Sequence, residues 1–169
     1  MDNELLHDIC LNMLPGLGPR TYNKLIEHFK TPSHVFSATE ADLLHCPGVG
    51  KKLAHEILYY EKNYNPKEEL KRAQLAGIKI INRRHPLYPE CLRSIYDAPI
   101  ILYIRGKADV LNNYDRNIAI VGTRRPSNYG LDMAKAIATD ACLASWTVVS
   151  GLAVGIDTAA HQSAEQLKR

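Results

Sequence analysis

Ile118-Ala-Ile-Val-Gly-Thr-Arg-Arg-Pro-Ser-Asn-Tyr-Gly130, with Thr147-Val-Val-Ser-Gly-Leu-Ala-Val-Gly-Ile-Asp157 a helix length further on, decides the fold. Ile118 to Val121 is a short apolar run stopped by Gly122, the pattern of a buried strand. Met133, Ala134, Ile137, Ala138 and Ala141 then recur at helical spacing. Thr147 to Val149 reads as a second strand ending at Ser150-Gly151, and a loop with Gly155 leads to a helix carrying Ala159, Ala160 and Leu167. Strand, glycine loop and helix, twice over, specify an α/β architecture with a parallel, doubly wound sheet and flanking helices, because parallel strands need crossover connections. Only two such units are present. The sheet is therefore expected to be incomplete, with an edge that further strands, from a longer chain or from another one, would cover.

Upstream, Ile78 to Ile81 and Ile100 to Ile104 read as strands around an irregular stretch punctuated by Pro86, Pro89 and Pro99. Before them Asn65 caps a helix that opens with Pro66, has Glu68 three residues past the cap and ends at Gly77. The first 63 residues look helical and contain one pattern twice. Leu14-Pro-Gly-Leu-Gly-Pro19 leads into Tyr22, Leu25, Ile26 and Phe29, and Cys46-Pro-Gly-Val-Gly-Lys51 leads into Leu53, Ala54, Ile57 and Leu58. Each is a Gly-x-Gly turn into an amphipathic helix, with Thr39 as the N-cap of a helix between them. Two domains are expected, a small all-helical one over residues 1–65 and a sheet-containing one over 66–169.

The 169 residues, 46% hydrophobic and 23% charged, suffice for a packed core and exclude disordered and fibrous classes. No apolar run approaches the roughly 18 residues of a membrane helix. Met1-Asp-Asn-Glu4 is acidic and lacks the basic start of a secretory signal, so a cytoplasmic location is expected. Cys10, Cys46, Cys91 and Cys142 have neither disulfide-framework nor zinc-site spacing and read as small core or surface residues. Residues 1–65 carry six Lys/Arg against eight Asp/Glu and residues 66–169 fifteen against ten. An anionic partner is thus expected on the second part.

In an open parallel sheet, ligands bind beyond the carboxyl ends of the strands. There Gly122, Thr123, Arg124 and Arg125 offer close backbone approach, a hydroxyl, two guanidinium groups and the free amides of a helix start near Tyr129. That combination favours phosphate, with solvated arginines on an ordinary turn as the competing interpretation. The second loop adds Ser150, Gly151 and Gly155. Asp157 and His161 lie one helical turn apart, a pair that suits either an oriented imidazole or plain capping and packing. Tyr129 suits either base stacking or packing. Neither loop matches G-x-G-x-x-G and no phosphate-binding G-x-x-x-x-G-K-[ST] sequence occurs, so no dinucleotide cofactor and no ATP hydrolysis are expected. No cluster has metal-ligand spacing, and no metal is expected. In the first domain, Gly48 and Gly50 with Lys51 and Lys52 could hold nucleic-acid phosphates on turn amides, whereas Gly16-Leu-Gly-Pro19 loses an amide to proline.

Ile118 to Gly130, Val148 to His161 and Tyr88-Pro89 through Arg105-Gly106 together resemble the DNA-processing protein A (DprA/Smf) family. The resemblance covers nearly the whole chain. It implies a SAM-like, helix-hairpin-helix N-terminal domain followed by the first part of a Rossmann-like domain. It implies a protein that binds single-stranded DNA, protects it and loads the RecA recombinase in natural transformation, without being an enzyme and as a homodimer in its complete form. The family's G-S-R motif falls on Gly122, Thr123 and Arg124, and its G-L-A-[RK]-G-I-D motif on Gly151 to Asp157, where Val154 replaces a common basic residue. Family members continue through further strands and often a winged-helix domain, so much of their dimer and RecA surface is expected to be absent here. Arg83, Arg84 and Arg93 are candidates to extend the DNA groove.

The alternative is a nucleotide-binding or nucleotide-hydrolysing enzyme of the lysine-decarboxylase-like Rossmann class, which shares a G-S-R-type loop. That class carries its catalytic glutamate in a P-G-G-x-G-T-x-x-E segment, which this sequence lacks. Salt and length dependence separate the two readings, since only a strand binder gains affinity with longer oligonucleotides.

Overall fold

A computed structural model describes residues 3–108, 110 and 114–167. Packing divides the chain into two compact units, 1–112 and 113–169. The division expected after residue 65 is therefore not where the contacts part. The first unit opens with seven helices, α1 (Asn3–Met13), α2 (Pro19–Phe29), α3 (Pro32–Phe36), α4 (Glu40–His45), α5 (Lys51–Leu58), α6 (Tyr60–Asn63) and α7 (Pro66–Leu75). Strand β1 (Ile78–Asn82), the short helix α8 (Glu90–Arg93) and strand β2 (Ile101–Arg105) follow. The strands pair antiparallel, from Ile78 opposite Arg105 to Asn82 opposite Ile101. Leu70 and Ala73 of α7, Ile80 of β1 and Ile100 and Ile101 join Ile9, Leu11, Leu25, Val35, Leu43 and Ile57 in one core. A two-stranded ribbon is marginal alone, and the helical part supplies the apolar cover that merges it with residues 1–65.

Local signals set the helix boundaries. Thr39 and Asp42 form a reciprocal capping box at the start of α4. Thr39→Ala is expected to destabilise the first unit by about 1 kcal/mol, read as a lower denaturation midpoint at unchanged slope. Asn65 accepts from the Glu68 amide with Pro66 as the first helical residue of α7. Gly16 and Gly48 turn at φ +83° and +94°, conformations that admit glycine readily, and Gly18 and Gly50 then serve as N-caps of α2 and α5.

In the second unit, β3 (Asn117–Ala119), α9 (Asn128–Leu143), β4 (Thr147–Val149) and α10 (Ile156–Gln166) alternate as expected. β3 and β4 are parallel, with Asn117 opposite Thr147 and Ala119 opposite Val149. Among the described residues this sheet has two strands, and β1 and β2 belong to a separate one. Its core holds Ile120, Ala134, Ala138, Cys142, Val148, Ala159 and Ala160. The buried stripe of α9 is thus Ala134, Ala138 and Cys142. Met133 and Ile137, expected on the buried face, are exposed instead, as is Trp146. Small side chains face α10 because the two helices pack closely there, and the larger ones turn outward.

Candidate nucleic-acid interface

The loops after β3 and β4 lie against each other. Gly155, at φ +94°, comes so near residues 123–124 that an added Cβ would sit 2.4 Å from the Thr123 carbonyl oxygen. The Ile156 amide donates to that same oxygen at 3.3 Å. A Cβ on Gly122 would meet the Ile156 side chain at 2.7 Å. Asp157, near the start of α10, completes the junction. Its Oδ1 accepts from the Gly122 amide at 3.3 Å, and its Oδ2 from the amides of Gly151 at 3.0 Å and Ala153 at 3.4 Å. Burial pushes the Asp157 carboxyl up, yet these backbone N–H groups outweigh it and hold the group below its ordinary value. Its charge therefore supports the junction at neutral pH and is lost only on acidification below the usual carboxylate range.

Four of the residues expected on phosphate are thus committed to building the loops. The Gly122 and Gly151 amides serve Asp157, and Gly155 serves close packing. Ser150 Oγ accepts from the Leu152 amide at 3.0 Å and lies 2.8 Å from His161 Nε2. Asp157 bridges the two loops, and His161 meets Ser150; the N-cap position of α10 is Gly155, which has no side chain to cap with. A serine–histidine contact exists, but the carboxylate that would complete a triad is spent on three amides.

Thr123, Arg124 and Arg125 stand exposed on this clamped scaffold. Thr123 Oγ1 accepts from the Arg125 amide at 3.2 Å and so shapes the turn. Among the described residues neither guanidinium has an acidic partner, and the Thr123 and Arg124 amides donate to no internal acceptor. Ser127 caps α9 through the Gly130 amide, leaving the Asn128 and Tyr129 amides at the helix start. Tyr129 is 74% exposed. The arrangement presents two exposed cations without acidic partners, donor amides and an exposed aromatic side chain, groups whose chemistry suits phosphates and bases. Leu152 and Val154 are exposed on the second loop, Leu152 at the unusual φ of +52°.

Arg83, Arg84 and Arg93, named as candidates to extend a DNA groove, each bond to partners within the first unit. Arg83 donates to the Ala98 and Pro99 carbonyls and to Asn23 Oδ1. Arg84 pairs with Asp8 at 2.6 Å. Arg93 reaches the Tyr88 carbonyl at 3.2 Å and Glu90 at 3.3 Å. The partners of Arg83 and Arg84 lie too far off in sequence, or are too ordinary as carbonyls, to be inferred, whereas Glu90 stands three residues before Arg93. Gly48, Gly50, Lys51 and Lys52 are all exposed. Among the described residues there is no cluster of metal-ligand side chains, and no helix long and apolar enough to cross a membrane.

Residues 79–168, which include both loops, match the family described as DNA recombination-mediator protein A. The chain belongs to this family. Residues 10–58 of this family member match a SAM-like helix-hairpin-helix tandem. Protein Smf of Synechocystis is 29% identical over 96% of the chain, and DNA processing protein DprA of Bacillus subtilis is 39% identical over 54% of it. The chain spans 41% and 31% of the lengths of these two relatives. An X-ray structure of DNA processing protein A from Streptococcus pneumoniae superposes with a TM-score of 0.68 at 25% identity, covering 98% of this chain and 54% of that one.

Proposed function

We propose that this recombination-mediator family member binds single-stranded DNA at the paired loops. Arg124 and Arg125 take the phosphates, with the Thr123, Arg124, Asn128 and Tyr129 amides as additional donors and Tyr129 as a base platform. Gly122, Ser150, Gly151, Gly155, Asp157 and His161 hold that surface in shape. In this reading the strand is protected and passed to the RecA recombinase by the complete protein, acting as a homodimer in the cytoplasm during natural transformation. The observation that carries the proposal is the pair of unpartnered guanidinium groups on a loop whose backbone is clamped from behind. Clamping limits the entropy lost when a strand docks, and guanidinium groups already free of carboxylates need not break an ion pair first.

The test is fluorescence anisotropy with dT oligonucleotides of increasing length at several salt concentrations. Arg124→Ala/Arg125→Ala is expected to weaken binding about tenfold or more and to lower the log–log salt slope by roughly 1.4, at about 0.7 per lost single-strand phosphate contact. Affinity that grows with oligonucleotide length supports a strand binder over a mononucleotide enzyme. Unchanged affinity of the double variant at low salt would refute the assignment.

A further inference from the structure

The first unit carries a second cationic track, apart from the paired loops. Arg20 and Lys24 lie one turn apart on α2, with Asn23 on the same side. At one end, the Arg20 guanidinium carbon sits 5.2 Å from the centre of the Tyr96 ring, and Asn23 Nδ2 donates to the Tyr96 carbonyl at 2.9 Å. The backbone of Tyr96 is thereby tied down and a cation attends its ring, yet the residue is 69% exposed. At the other end, Lys24 Nζ lies 3.7 Å from where a Cβ on Gly48 would be. From there the chain runs through Gly50, whose helix has no side-chain cap, to exposed Lys51 and Lys52. None of Arg20, Lys24, Lys51 and Lys52 has an ion-pair partner among the described residues.

A lone exposed tyrosine needs no explanation. This one is anchored beside a guanidinium at the head of an unpaired cationic row, the combination that holds a single strand by one stacked base and a run of phosphates. We propose that Tyr96, Arg20, Lys24 and the Gly48–Lys52 turn form a second single-strand site, with a base on Tyr96 and the adjoining phosphates on Lys24, Lys51 and Lys52. The site stands independently of the paired loops. Charge complementarity selects a polyanion, and the anchored ring selects one that carries bases. The tyrosine enters from the segment between α8 and β2, so the helical repeat reveals the Gly48–Lys52 turn but not its aromatic partner.

The experiment uses the full chain with Arg124→Ala/Arg125→Ala in place, so that the loop site is disabled. Binding of a dT oligonucleotide is compared with that of an abasic oligonucleotide of equal length. Tyr96→Ala is expected to weaken dT binding about fivefold or more and to leave abasic binding unchanged, while Tyr96→Trp restores dT binding. Lys24→Ala is expected to weaken both and to lower the salt slope by about 0.7. No residual dT binding in this background would overturn the proposal, as would a Tyr96→Ala effect that is absent or equal on the two probes. Binding of a poly-glutamate peptide with the same Tyr96 dependence would overturn it in favour of a protein partner.

Discussion

Gly155→Ala is expected to unfold the second unit while leaving the first intact. Two costs coincide at this residue. Its φ of +94° and ψ of −124° lie where a side chain is strained, worth about 1–3 kcal/mol. The added Cβ also meets the Thr123 carbonyl oxygen at 2.4 Å and Arg124 backbone atoms at 3.0 Å. Those are main-chain atoms, which cannot swing aside as a lysine tip would, so overpacking adds a further penalty of about 1–3 kcal/mol. The core of this unit is built largely from Ala134, Ala138, Ala159 and Ala160, with Ile120 and Val148 as its large aliphatic members. So small a core leaves a narrow margin of stability. Hydrogen exchange should therefore lose protection across β3, α9, β4 and α10 together. Gly130→Ala provides the control, since its Cβ would meet nothing closer than 3.5 Å and alanine favours helix. Full protection of α10 in Gly155→Ala would contradict the role assigned to the loop junction.

The same residue shows where sequence reading reaches its limit. That Gly155 begins a helix after a strand is legible, because strand and helix periods change around it. That its missing side chain serves Thr123, thirty-two positions earlier, is not, since a glycine kept for a ligand and one kept for a neighbouring loop look alike. Asp157 poses the same problem: a carboxylate at a helix start signals capping, and only the fold brings the Gly122 amide to it. By contrast, Thr39 and Asn65 act within three residues of themselves, and their capping roles were plain. Helical spacing in α9 announced a helix but not which of two adjacent stripes would be covered, because that depends on how near α10 approaches. Arg124 and Arg125 are exposed on the loop after β3, while Arg84 is claimed by Asp8, seventy-six residues away.

Arg84→Met is expected to make the first unit sensitive to alkali. Asp8 is fully buried and accepts from Tyr22 at 2.7 Å, Asn82 at 2.9 Å and Arg84 at 2.6 Å, so one carboxylate joins α1, α2, β1 and the turn after it. Burial raises the Asp8 carboxyl above its ordinary value, against the pull of Tyr22, Arg84 and Asn82. Removing the guanidinium removes one of the downward influences and raises it further. An acid whose folded value exceeds its unfolded value, about 3.9, favours folding below that unfolded value and loses the contribution as pH rises through the folded one. Urea unfolding of Arg84→Met should therefore approach the parent at pH 4 and fall about 2–3 kcal/mol below it at pH 8. That is less than the usual cost of breaking a buried pair, because the Arg84 side chain is 47% exposed and already screened. Adding Asp8→Asn keeps an acceptor for Tyr22 and removes the titrating charge, so the pH dependence of the Arg84→Met protein should flatten. If Arg84→Met and its parent differ by the same amount at pH 4 and pH 8, the loss is one of packing alone, and Asp8 is not the charge that Arg84 neutralises.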